Sequence, residues 1–95
     1  MATQQLADQL GWCITTKDFL NELNNELKYV ASRYESMVES LEAGNYLQEM
    51  LNQIRFMQEE FKNETDSLIG YIEREHLDYI DKQSQKVQSE LEKYL

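Results

Sequence analysis

From Lys17 to Glu42 the large apolar residues are Leu20, Leu23, Leu27, Val30, Tyr34, Met37 and Leu41, at alternating spacings of 3 and 4. That is the period of a helix with one apolar seam, because residues three and four apart lie above one another on a helical surface. Asp18, Glu22, Asn25, Lys28, Glu35 and Glu39 fall on the other face. A second stripe, Leu47, Met50, Leu51, Ile54, Met57 and Phe61, starts just after Gly44 and Asn45. Those two residues tolerate the left-handed conformation that closes a helix, so a turn is predicted at 43–45. Two amphipathic helices joined so tightly run antiparallel and pack seam to seam. Leu27, Val30, Tyr34, Leu47, Ile54 and Phe61 are the candidate core.

The second stripe thins between Lys62 and Ser67 and resumes at Leu68, Ile69, Ile72, Leu77, Ile80, Val87 and Leu91. With no proline to stop it, the pattern predicts one helix over 46–94, with 63–66 as the place for a break and Asp66 as the cap of a fold-back alternative. A first helix over 16–42 would be about 39 Å long and a second over 46–94 about 73 Å. The last third of the second helix would then overhang its partner and leave Ile72, Ile80, Val87 and Leu91 uncovered, which a monomer rarely tolerates. A second chain is the expected cover, giving a four-helix bundle. Tyr71, Ile72, Glu75, Tyr79, Ile80 and Val87 are therefore the candidate partner-binding residues.

Ahead of the first stripe, residues 3–11 read as a short separate helix, capped by Thr3 and ended by Gly11. Trp12, Cys13 and Ile14 form an apolar knot, with Trp12 expected to anchor on the body of the domain. Thr15 or Thr16 caps the next helix, and Asp18 completes an approximate capping box.

Composition agrees with an all-α fold class in a single helical domain. The chain has 95 residues, no proline and three glycines, with 41% hydrophobic and 28% charged residues. Eighteen Asp and Glu against nine Lys and Arg give a net charge of −9. Nucleic acid and anionic lipid both require clustered Lys and Arg, so neither is an expected partner. An acidic inhibitor that imitates nucleic acid on a basic enzyme surface is an alternative reading. Lys62, Arg74, Lys82 and Lys86 interrupt the single-sign field that such mimicry uses.

Apolar runs of two or three residues exclude membrane insertion. The first ten residues lack a basic start followed by an apolar core, so the chain is expected to be cytoplasmic or exported without a cleaved signal peptide. Cys13 has no second cysteine to pair with and reads as a small hydrophobe. No nucleophile–base pair or phosphate-binding loop is legible, so no catalytic residue, cofactor or metal is assigned. The one metal-like feature is Glu73, Glu75 and His76. Glu73 and His76 have the i, i+3 spacing of carboxylate-bridged di-metal sites, which need two such pairs.

The outline of two antiparallel helices, a central glycine turn, an acidic character and a long trailing helix resembles the WXG family of small type VII secretion proteins. The resemblance extends from Thr15 to the end of the chain. In that family a Trp-x-Gly motif marks the turn. Glu42-Ala43-Gly44 keeps the glycine and lacks the tryptophan, and Trp12 lies elsewhere. Tyr71-Ile72-Glu73-Arg74-Glu75 fits the family's export motif of Tyr-x-x-x-Asp or Glu. The resemblance implies a secretion substrate, or an accessory partner that guides a helical effector domain, acting as a homodimer or a heterodimer.

Overall fold

The structure, a computed structural model, describes residues 2–44 and 46–94, and is helical with no strand among them. Helix α1 spans Ala2–Glu42, α2 spans Gln48–Tyr71, a π-helical segment spans Ile72–Leu77, and α3 spans Asp78–Glu92. The chain divides into two compact units. Unit 1 is Met1–Leu23 with Tyr71–Leu95, and unit 2 is Asn24–Gly70.

Helix α1 corrects the expected beginning. There is no separate helix over 3–11 and no capped start at Thr15 or Thr16, because α1 runs unbroken through Gly11 and both threonines. Glycine in a helix interior costs about 1 kcal/mol relative to alanine, and packing outweighs it. In unit 1 the buried or half-buried residues of α1 are Leu6, Leu10, Cys13, Thr16, Leu20 and Leu23. They pair with a C-terminal set of Ile72, Leu77, Ile80, Val87 and Leu91. The expected overhang is therefore absent: Ile72 and Ile80 are buried, and the N-terminal segment of the chain supplies the other side of unit 1. A surface ion pair between Lys17 Nζ and Asp81 Oδ1, 2.7 Å long, marks the level at which the two segments meet.

Unit 2 is hairpin-like. Glu42 meets Arg55 near the turn, with the guanidinium donating to Oε1 at 2.6 Å. Farther along, the rings of Tyr34 and Phe61 stack at 5.3 Å. Residue numbers thus fall on one helix as they rise on the other, which is antiparallel pairing. The buried and half-buried positions of α1 here are Asn24, Leu27, Ala31, Tyr34, Glu35, Val38 and Leu41, and those of α2 are Leu51, Ile54, Arg55, Gln58, Phe61, Thr65, Ile69 and Gly70. Leu27, Tyr34, Ile54 and Phe61 take the expected core side. Val30, Met37, Leu47, Met50 and Met57 do not, and all five are exposed. Asn24, Ala31, Val38 and Gln58 hold the places assigned to their bulkier neighbours.

The turn also differs from expectation. Gly44 does not have a positive φ; no described residue does. Asn45 lies outside the described residues. Instead α1 tightens at its end, with the Ala43 N–H donating to the Glu39 carbonyl at 3.0 Å and the Gly44 N–H to the Leu41 carbonyl at 3.1 Å. The Tyr46 ring lies over Gly44, within 2.5 Å of where a Cβ would stand, so glycine serves close approach here. The break allowed for at 63–66 does not occur. The helical irregularity falls later, at the π-helical turn.

Candidate functional site

The π-helical segment decides what unit 1 exposes. Core positions recur every three or four residues in an α-helix, yet Ile72 and Leu77, both on the seam, are five apart. A wide turn absorbs the extra residue. An α-helical continuation from Ile72 would bring His76 and Tyr79 into the seam, whereas the wide turn brings Leu77 and buried Ile80 there. Glu75, His76 and Tyr79 are left on the surface.

These three residues line one wall of an apolar groove of about 360 Å³, whose other wall is Trp12, Thr16 and Phe19 of α1, with Leu20 and Ile80 contributing as well. Trp12 is 58% exposed, Phe19 62% and Tyr79 58%. Three large aromatic side chains standing this far out of one small unit are not satisfied by its own core. The His76 ring meets the Tyr71 ring edge-on at 5.2 Å. A neighbouring concavity continues past Trp12 and Tyr79 to Cys13, Gln83 and Val87.

Of the sequence-assigned partner residues, the structure brings Glu75, Tyr79 and Ile80 into the groove, and Val87 into its extension. Tyr71 is exposed beside His76. Ile72 and Ile80 are corrected from uncovered surface to buried core, since the π turn aims them at α1. Trp12 is corrected as well, standing exposed rather than anchored. Trp12, Phe19 and His76 are the groove residues that the periodicity missed. The visible signal for them was the five-residue gap from Ile72 to Leu77.

Unit 2 carries a second apolar surface. Val30, Arg33, Tyr34 and Met37 line a shallow concavity on α1, and the Tyr34–Phe61 stack joins it to the Met57 side of α2. Its seam, by contrast, is small or polar in several layers. Gln58 is 2% exposed and accepts a 3.0 Å hydrogen bond from Arg55, whose guanidinium also holds Glu42. Asn24 is 3% exposed, and its carboxamide makes no hydrogen bond. Arg33 lies over the Tyr29 ring, 5.6 Å from its centre, and donates to the Tyr29 hydroxyl at 3.0 Å.

Among the described residues no three His, Cys, Asp or Glu side chains converge as a metal site. No helix of the described residues is long and apolar enough to cross a membrane. Comparison with protein-family models, with curated proteins and with solved structures returns no match for this chain.

Proposed function

We propose that this chain is a non-enzymatic interaction module that works by packing its exposed apolar helix faces against another helical chain. The observation that carries the reading is the inverted layering of unit 2. Asn24, Ala31, Gln58 and Thr65 occupy several layers of its seam beside Val38, Leu51 and Ile69, while Val30, Met37, Met50, Met57 and Leu68 stand about half exposed. Small seam residues let two helices approach closely, and bulky residues beside the seam then need a second layer. Covering each of those five side chains stabilises an assembly by about 1 kcal/mol. Methionine suits such a surface because its unbranched thioether adapts to its partner.

The arrangement this favours is a four-helix bundle made with a partner hairpin, either a second copy or a different helical protein. A WXG-like secretion substrate or targeting partner of a helical effector domain is the biological setting most consistent with the outline of the sequence. The test is to place charge on the surface where it cannot disturb the seam. A Met37→Glu, Met57→Glu double variant should keep its helical circular dichroism and lose its partner in light scattering and in a tagged pull-down from the native host. An unchanged assembly mass in the double variant would refute the reading. Release of a nucleic-acid enzyme by high salt would replace it with acidic mimicry, since exposed charge pairs are screened and apolar burial is not.

A further inference from the structure

Resting on the reading that the chain docks helices, we propose that the unit 1 groove receives a basic amphipathic helix of a partner protein. An apolar side chain of that helix lies over Trp12, Phe19 and Tyr79, and a Lys or Arg reaches Glu75. Three observations fix this chemistry. The groove is flanked by two antiparallel helical segments, so it runs along them and suits an elongated helical ligand. Its two walls offer three aromatic rings, Trp12 and Phe19 on one side and Tyr79 on the other, whose faces attract cations as well as apolar groups. Glu75 stands on the Tyr79 wall and makes no ion pair among the described residues.

Charge selects among occupants. Unit 1 holds nine Asp and Glu against five Lys and Arg, so its field favours a cationic helix. A second copy brings the same excess of acid, with a net charge of −9 on each chain. An anionic lipid surface is repelled for the same reason.

Trp12 is the only tryptophan in the chain, so its emission reports on this groove and the concavity that continues it. The experiment titrates the full chain with a synthetic amphipathic peptide of about four helical turns, with leucines along one face and arginines flanking them. The expected result is a saturable blue shift of Trp12. A matched peptide with glutamates in place of the arginines should bind far more weakly. Phe19→Ala, at an exposed position that leaves the core intact, should weaken the arginine peptide about tenfold. Glu75→Gln should weaken it about threefold.

Equal binding of the glutamate peptide, or no loss in Phe19→Ala, would overturn the proposal. So would a Trp12 shift produced by raising the protein concentration alone, which would assign the groove to a second copy, or by anionic phospholipid vesicles. The Met37→Glu, Met57→Glu variant separates this inference from the parent reading. It should bind the peptide normally, and peptide binding can fail while assembly through unit 2 stands.

Discussion

Units 1 and 2 are both antiparallel helix pairs, yet they distribute apolar groups in opposite ways. Unit 1 buries aliphatic residues, Leu20, Ile72 and Ile80 with Cys13, and holds aromatics outside. Unit 2 buries Asn24, Gln58 and Thr65 alongside Val38, Leu51 and Ile69, and holds methionines outside. The contrast shows that helical periodicity specifies where a seam runs but not how deep each side chain sits. Unit 1 spends its aliphatic residues on its own cohesion. Unit 2 places polar groups in its seam and leaves Val30, Met37, Met50, Met57 and Leu68 about half exposed.

The largest expected effect breaks unit 1. Ile80→Asp places an unpaired carboxylate in an aliphatic seam and should cost about 3–5 kcal/mol. Thermal denaturation should show the loss, with fast amide exchange confined to residues 2–23 and 71–94 if unit 2 holds. A melt within a degree or two of the parent would contradict the burial of Ile80.

The next effect has the opposite sign and belongs to unit 2. Asn24→Leu removes a buried carboxamide that has no hydrogen bond and should raise stability by about 1–3 kcal/mol. A buried polar group in a helical seam also restrains register and association state. The same variant should therefore populate additional assembly states in sedimentation. If urea denaturation showed Asn24→Leu to be weaker than the parent, the carboxamide would have to be satisfied in solution.

Gly11→Ala is smaller. Gly11 lies inside α1 with nothing within 4 Å of a Cβ built there. The substitution should stabilise unit 1 by about 0.5–1 kcal/mol, by reducing the freedom of the unfolded chain. A drop in melting temperature would mean that α1 is interrupted at Gly11.

The smallest effect is a pH response of α3. Asp78 accepts a 2.9 Å contact from Lys82 one turn on. The hydrogen bond to Asp78, and then its charge, raise the pKa of Lys82 above its usual 10.5. A raised lysine pKa means the stabilisation is complete below 10.5 and is lost as pH climbs through the raised value. The side chain is fully exposed, so the loss should be just detectable in an alkaline titration of helicity and absent in Asp78→Asn.

Much of this fold was legible in the sequence. The all-helical class, the turn region after Glu42, and Leu27, Tyr34, Ile54 and Phe61 on the inner side all follow from spacing. Alternate layers were misread because Leu23, Val30 and Met37 are larger apolar groups than Asn24, Ala31 and Val38. In a close helix pair, space decides the seam, and the smaller neighbour wins. The start of α1 was misread because Gly11, Thr15 and Thr16 are local stop and cap signals, and tertiary packing overrode them. The groove was hidden because its residues are far apart in sequence and are aligned by a π turn whose one trace is the five-residue gap from Ile72 to Leu77.

That turn has a consequence for how the chain can change over time. One surplus residue between Ile72 and Leu77 works as a phase adapter, letting the seam upstream and the seam downstream keep separate counts. A lineage that gained or lost a residue on either side could re-establish alignment at this joint without rewriting both helices. The exposed aromatic wall and the aliphatic interior would then vary independently of one another.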